Sequence, residues 1–143
     1  MLKVYNVDII AELKKKSENS NLNSRHSAAL ICNGKIESLG YNFRKQNSDF
    51  SIHAEVSALK LFKYKSGNGK ANRQFPRDII VIKVSNSLKM LGNSRPCNHC
   101  IEILKKNNIR KIYYSNEKGE IECEYTNEME NKHESSNQRF KNR

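Results

Sequence analysis

Two short motifs, His53-Ala54-Glu55 and Pro96-Cys97-Asn98-His99-Cys100, constrain this chain more than any other feature of its sequence. An imidazole and two thiolates give zinc three protein ligands, and a site with three such ligands keeps its fourth position open for water. Zinc lowers the pKa of a bound water to about 7, so hydroxide is available at neutral pH. Glu55, two residues after the histidine, is placed to carry protons for that hydroxide without being a ligand. The motifs therefore predict one zinc site built from two distant segments.

Two other interpretations of these motifs remain open at the level of sequence. A structural zinc site is closed by four protein ligands, and Cys32 or Cys123 would have to supply the fourth. A redox C-x-x-C is the second alternative, but it has no need of the preceding His-Ala-Glu. Glu55 favours zinc chemistry with an open position, because a purely structural site has no use for a proton carrier.

Length and cysteine content limit the possible number of domains and the cellular compartment. A chain of 143 residues forms one domain with a full core. No apolar run approaches the roughly 20 residues that cross a bilayer, so no membrane association is expected. The first residues lack the apolar region and cleavage site of a secretion signal. Four cysteines, two of them assigned to zinc, indicate a reducing compartment, so we expect an intracellular protein, cytoplasmic or nuclear. Cys32 and Cys123 are expected to be small buried side chains.

The formal net charge of +11 bears on the choice of partner. The basic excess lies in residues 1–114, because residues 115–143 carry more glutamate than lysine and arginine. Such a surface suits phosphate-bearing substrates or nucleic acid. A chain rich in lysine, asparagine and isoleucine throughout also arises from composition alone, so the charge by itself does not select a partner.

Hydrophobic periodicity predicts an alternation of helices and strands. An Asn33-Gly34 pair between two apolar runs predicts a hairpin. The polar stretch 126–143 carries no structural signal, which makes 1–125 the predicted domain and 126–143 a tail. The predicted elements are a helix over 4–16, strands over 26–32 and 35–42, a helix over 53–65, a strand over 79–85, a helix over 97–108, and strands over 110–115 and 120–126.

This order predicts an α/β fold, a three-layer α/β/α sandwich around a mixed five-stranded sheet. Strand-helix-strand units give parallel strands with helices covering the sheet. The turn 115–119 is too short for a parallel crossover, so the last two strands should pair antiparallel. Both zinc motifs then begin neighbouring helices, where the partial positive charge of the helix N-terminus favours thiolate.

With these features in place, the chain resembles the cytidine deaminase-like superfamily over about residues 24–114. Beyond the H-x-E and P-C-x-x-C motifs, three further segments match the family pattern of a small-residue strand, a turn, and a strand ending in Gly-x-Asn. These segments are Ser27-Ala28-Ala29, Asn33-Gly34 and Gly40-Tyr41-Asn42.

The resemblance implies both a function and a set of site residues. It implies a zinc ion on His53, Cys97 and Cys100, with Glu55 as the proton shuttle, and hydrolytic deamination at C4 of a cytosine-containing nucleoside or nucleotide. The alternatives are a deaminase acting on cytosine or adenosine in nucleic acid, and a non-catalytic zinc-stabilised binding module. The resemblance also allows a homo-oligomer of unspecified size. Substrate contacts are implied for Asn42 and for the backbone of Ala54.

The residues do not fix one branch of the superfamily. A histidine as first ligand is similar to the deoxycytidylate, tRNA-adenosine, cytosine and guanine deaminases, whereas an antiparallel last strand is similar to the free-cytidine enzymes.

The roles of several side chains near the motifs are also undecided by the sequence. Arg25, Arg44 and Lys45 either meet a phosphate or form a solvated face, and the solvated face is the expectation. His26, His99 and His133 are expected to be ordinary residues. Tyr41, Phe43 and Phe50 either pack or stack on a base.

Overall fold

The computed structural model describes residues 7–45, 50–66, 76–85 and 90–129. Its helices and strands, numbered in chain order, are α1 (Val7–Ser17), β1 (Arg25–Cys32), β2 (Lys35–Tyr41), β3 (Phe43–Arg44), β4 (Ser51–Ile52), α2 (Ala54–Ser66), β5 (Asp78–Val84), β6 (Leu91–Gly92), α3 (Asn98–Lys106), β7 (Lys111–Ser115) and β8 (Ile121–Tyr125), followed by a 3-10 turn at Thr126–Glu128.

One mixed sheet organises the domain, with its main strands in the order β2-β1-β5-β7-β8. The pairs β1–β2, β1–β5 and β7–β8 are antiparallel, and β5–β7 is parallel. The predicted antiparallel pairing of the last two strands is confirmed. The predicted five strands are present, and the two-residue β6 adds a sixth because Leu91 and Gly92 pair with Val84 and Lys83 of β5. Separately from this sheet, β3 and β4 form a two-stranded ribbon.

The central strand β5 shows why helices cover both faces of the sheet. Ile79 and Val81 face one side, in a cluster with Ala58 of α2 and Leu104 of α3. Alternate residues along β5 face the other side, where they join Leu13 of α1. Strand side chains alternate between faces, so a continuous apolar strand needs cover on both. The three-layer α/β/α prediction is confirmed, and the two helices that carry the zinc motifs share one layer.

The hairpin between β1 and β2 forms at the predicted pair. Asn33 and Gly34 both have positive φ, 53° and 76°. A type I′ turn needs positive φ at both central residues, which explains the Asn-Gly pair. The hairpin sets the register that brings Ser27 opposite Tyr41 at the far end of the two strands. That end lies beside the zinc motifs.

The two cysteines outside the zinc motifs are less buried than the sequence predicts. Cys32 is half-buried, at the end of β1 beside the turn, and Cys123 is exposed. Cys123 lies on β8, the edge strand of the sheet, in which no residue is buried. The prediction of a buried Cys123 is therefore wrong, because the edge of the sheet receives little cover from the rest of the domain.

The predicted boundary at residue 125 falls inside ordered structure. Thr126 is buried and bonds its hydroxyl to the Ile109 carbonyl, and Met129 packs in the core cluster beneath α3. The division into a domain at 1–125 and a tail at 126–143 stays a prediction, and residues 130–143 lie outside the described part of the chain.

Gly40 sets how closely α2 approaches the sheet. A Cβ at this position would lie 2.4 Å from the Ala58 backbone nitrogen and 2.7 Å from the Ala54 carbonyl oxygen. Real Cβ atoms do not tolerate such distances, so the glycine lets the first turn of α2 lie directly on β2. That first turn carries Glu55, and the close contact therefore positions the site.

Gly40→Ala is expected to lower the free energy of unfolding by about 1–3 kcal/mol, because overpacking against rigid backbone forces α2 to shift. Gly92→Ala is a matched control in a strand, since its Cβ would meet only the Lys83 side chain at 3.6 Å. Urea denaturation of both variants measures the effect. Equal stability of the two variants would contradict the proposed close contact.

Candidate active site

Each zinc motif begins a helix, and the structure shows how. The carbonyl of His53 accepts the first intrahelical hydrogen bond of α2, from the Ser57 N–H at 3.0 Å. The carbonyl of Cys97 does the same for α3, from the Ile101 N–H at 2.9 Å. Both residues therefore occupy cap positions, with their side chains next to unpaired helix N–H groups. Cys100 follows one turn after Cys97 and is fully buried.

The three predicted ligands converge on one point. The ligand atoms of His53, Cys97 and Cys100 all lie within 4.8 Å of one another. The His53 Nδ1 is 3.1 Å from the Cys100 sulfur and 3.7 Å from the Cys97 sulfur. In a zinc tetrahedron with ordinary bond lengths, a nitrogen and a sulfur ligand lie about 3.6 Å apart. The donor set and its spacing fit zinc.

The cluster contains three protein ligands rather than four. Within the described residues, it is the only group of His, Cys, Asp or Glu side chains arranged to hold a metal. Neither Cys32 nor Cys123 belongs to it, so the structure gives no support to either as the fourth ligand of a closed structural site. Three ligands with an open position are the arrangement of catalytic zinc.

The hydrogen bond between the two ligand thiols shifts their pKa values in opposite directions. A hydrogen bond from Cys100, and a second from His53, lower the pKa of Cys97 to about 3. The same hydrogen bond with Cys97, together with burial, raises the pKa of Cys100. Hydrogen bonding to Cys97 raises the pKa of His53. These protons must leave when a metal binds, because the ligands are thiolates and a neutral imidazole.

Glu55 lies beside the ligands without joining them. It is 5% exposed on the first turn of α2, in the lining of the same cavity as His53 and Cys97. Burial raises the pKa of this carboxyl, with His53 acting in the opposite direction. The structure thus brings the predicted proton carrier to the predicted metal ligands.

A cavity of about 530 Å³ opens onto these residues. Its size is that of a small-molecule site. Loop 21–24, the end of β2, the β3–β4 ribbon and the segment before α3 form its walls. The lining residues are Asn21, Leu22, Asn23, Ser24, His26, Asn42, Arg44, Ser51, His53, Ala54, Glu55, Ser94, Arg95, Pro96 and Cys97.

Asn42 lines this cavity, and hydrogen bonds to the backbone fix its side chain. Its Oδ1 accepts a hydrogen bond from the His26 backbone N–H at 2.8 Å, and its Nδ2 donates to the Ser24 carbonyl at 2.6 Å. The end of β2 is therefore tied to the start of β1, and the amide has a fixed orientation. An amide oxygen accepts two hydrogen bonds, so Oδ1 keeps capacity for a further donor.

Three other wall residues were not identified as site residues from the sequence. Burial lowers the pKa of His26 to about 4, so this ring is neutral at pH 7. Arg95 donates from Nε to Glu124 at 3.0 Å, and the Tyr114 hydroxyl donates to the same carboxylate. Arg44 lines the cavity, whereas Arg25 lies outside its lining. Nothing in the local sequence separates Arg44 from Arg25, because only the fold decides which faces the site.

The segment before Cys97 is fastened to the sheet by Ser94. The Ser94 hydroxyl donates to the Val81 carbonyl at 2.7 Å and accepts from the Ser115 N–H at 2.9 Å. The Ser94 N–H donates to the Ser115 carbonyl at 2.8 Å. One buried side chain therefore joins this segment to β5 and β7, three residues before the ligand.

His99 and the neighbouring aromatic residues take other roles. His99 is half-buried and does not join the metal cluster. Tyr41 and Phe43 pack together with ring centroids 5.6 Å apart. Phe50 is 45% exposed and lies with His99 beside a separate apolar cavity that also reaches His53. His133 lies outside the described residues.

Comparison with known families agrees with this fold and this three-ligand cluster. Residues 4–116 match the family model described as the cytidine and deoxycytidylate deaminase zinc-binding region. The chain belongs to this family. A comparison with curated protein sequences finds no significant match.

Solved structures share the fold at low identity. Cytidine deaminase from Burkholderia pseudomallei superposes with a TM-score of 0.62 at 19% identity, covering 85% of this chain and 93% of that chain. Cytidine deaminase from Mycobacterium leprae gives 0.53 at 15%, covering 80% and 92%. The dCMP deaminase of cyanophage S-TIM5, in complex with dCMP and dUMP, gives 0.51 at 20%, covering 79% and 85%. No helix in the described residues is long and apolar enough to span a membrane.

Proposed function

We propose that this chain hydrolytically deaminates a cytosine-containing nucleoside or nucleotide. The observation that carries the proposal is the burial of Glu55 in the same cavity as the three ligands, outside the ligand cluster. Burying a carboxyl group costs free energy unless it is hydrogen-bonded or paired. A structural zinc site gains nothing from such a group, whereas a hydrolytic site needs a proton carrier at this place.

The chemistry divides between the metal and the protein. Zinc, when bound, supplies an activated water at neutral pH. With zinc held by His53, Cys97 and Cys100, Glu55 would accept a proton from the attacking water and deliver protons to the ring nitrogen and to the leaving amine. In the net reaction, water provides the oxygen at C4 and the amino group leaves as ammonia. Burial of Glu55 keeps bulk water from competing for these protons.

We assign substrate contacts to Asn42 and Ala54. Asn42 is held by Ser24 and His26 with its amide oxygen still able to accept a hydrogen bond, which suits a substrate hydroxyl. Ala54 begins α2, and its N–H is among the first-turn groups that lack an intrahelical partner. That N–H is available to the substrate ring beside the metal ligands.

An ammonia-release assay on the zinc-loaded protein tests the proposal. The substrates are cytidine, deoxycytidine, CMP, dCMP, guanine, adenosine and a single-stranded DNA oligomer containing cytosine. We expect turnover of the cytosine nucleosides or nucleotides above all others. Faster deamination of the oligomer would identify a nucleic-acid deaminase instead. Zinc-loaded protein that releases no ammonia from any of them would refute the proposal.

A further inference from the structure

We propose that the site selects nucleotides over nucleosides, and that Arg44 binds the substrate phosphate at the cavity rim. This inference rests on the proposed deaminase function and adds the class of substrate to it. Arg44 has an exposed side chain and lines the same cavity as His53 and Glu55.

The β3–β4 ribbon explains why Arg44 faces the site. Arg44 pairs directly with Ser51, so their side chains emerge on the same face of the ribbon. Ser51 begins β4, and His53 follows this two-residue strand directly, just before α2. Arg44, Ser51 and His53 all line the cavity, and Ser51 and His53 also line the neighbouring apolar cavity together with Ile52. The ribbon therefore presents Arg44 opposite Ser51, which lies two residues before the metal ligand His53 in the chain.

Asn21 holds Arg44 in this place. The Arg44 backbone N–H donates to the Asn21 Oδ1 at 2.9 Å, and the Asn21 Nδ2 donates to the Arg44 carbonyl at 3.2 Å. This pair of hydrogen bonds joins loop 21–24 to the ribbon across the cavity mouth. A fixed backbone reduces the entropy lost when the side chain engages a ligand, which is the advantage of a preorganised site.

The charges of the cavity single out Arg44 from Arg95. The guanidinium of Arg95 forms a salt bridge through Nε with Glu124, to which Tyr114 also donates. Within the described residues, no carboxylate forms a salt bridge with Arg44. The third basic side chain of the wall, His26, is neutral at pH 7. Among the described residues, Arg44 is therefore the guanidinium of this cavity that has no carboxylate partner, which suits a ligand with a phosphate group.

The same features favour a mononucleotide over a polymer. Single-stranded nucleic acid is held by grooves whose basic residues follow several successive phosphates. The described lining contains two arginines, Arg44 and Arg95, and the cavity has a volume of about 530 Å³, within the range of small-molecule pockets. Arginine is well suited to phosphate because its planar donors match the oxygens in pairs.

The test compares kcat/KM for dCMP with that for deoxycytidine, and for CMP with that for cytidine, in wild type, Arg44→Ala, Arg44→Lys and Lys45→Ala. Lys45 is the matched control, because it is exposed, adjacent and equally charged but outside the cavity lining. A charge-assisted hydrogen bond predicts that Arg44→Ala lowers the nucleotide-to-nucleoside ratio about 10-fold to 100-fold. Arg44→Lys should restore part of the ratio, and Lys45→Ala should leave it within about twofold.

Calorimetric binding of the same ligands to the zinc-loaded protein gives a second readout, in which Arg44→Ala should weaken dCMP more than deoxycytidine. Wild type that prefers nucleosides, or an unchanged ratio in Arg44→Ala, would overturn the phosphate assignment and leave the deaminase function standing. Preferential turnover of a DNA oligomer would overturn the mononucleotide assignment. An absence of all turnover would overturn the proposed function, and calorimetry would then decide the phosphate assignment alone.

Discussion

Replacing Glu55 with glutamine is expected to remove nearly all deaminase turnover while zinc and the fold remain. The carboxyl group is outside the ligand cluster, so the metal should stay. Glutamine has almost the same volume, which spares the buried position from a cavity. General acid–base steps are typically worth about 10²–10⁴-fold in rate, and a loss at or above the upper end is expected because one group serves both the ring and the leaving amine.

The comparison needs zinc content, urea denaturation and ammonia release on the same preparations. Glu102→Gln is the matched control, since Glu102 is an exposed carboxyl group on α3 away from the cavity. That variant should behave as wild type. Comparable activity in wild type and Glu55→Gln, with full zinc occupancy in both, would show that the assigned mechanism is wrong.

Replacing a zinc ligand is expected to have the second large effect, because it should lower both the zinc content and the stability of the protein. Cys97→Ala is expected to bind less than a tenth of the zinc bound by wild type and to melt at a lower temperature, because metal binding contributes to the stability of the folded state. Chelation of wild type should lower its melting temperature in the same direction.

Cys123→Ala separates loss of a ligand from loss of a cysteine. Cys123 is exposed and outside the cluster, so this variant should keep about one zinc per chain. Elemental analysis and thermal melts with and without chelator provide the measurements. A Cys97→Ala protein with full zinc content, or a Cys123→Ala protein that loses its zinc, would contradict the assigned ligand set.

The metal cluster was predictable because its chemistry depends on residue type and local spacing. Cys97 and Cys100 lie one helical turn apart, and His53 precedes a second helix, so the motif alone defines the donor set. The antiparallel pairing of β7 and β8 was equally predictable, since the turn 115–119 is too short for a crossover. These features are local, and local rules decide them.

The rest of the site depends on contacts between distant segments. Asn21 holds Arg44 from 23 residues away, and no local pattern predicts that hydrogen-bond pair. Arg25 and Arg44 both precede the zinc helix, yet only the pairing of β3 with β4 turns Arg44 towards the cavity. The same limit applies to Cys123, whose exposure follows from the place of β8 in the sheet.

The two sides of the active site have unequal mechanical support. Ser94 couples Cys97 to two strands of the central sheet, so this side moves only when the most stable part of the domain opens. Arg44 belongs to a ribbon of two short strands, a unit that has little stability of its own. This ribbon leads directly into His53, and the hydrogen bonds between Asn21 and Arg44 tie it to loop 21–24. The two halves of the ligand set therefore differ in what would loosen them: local opening of the ribbon would release the histidine side, whereas the cysteine side would need opening of the sheet.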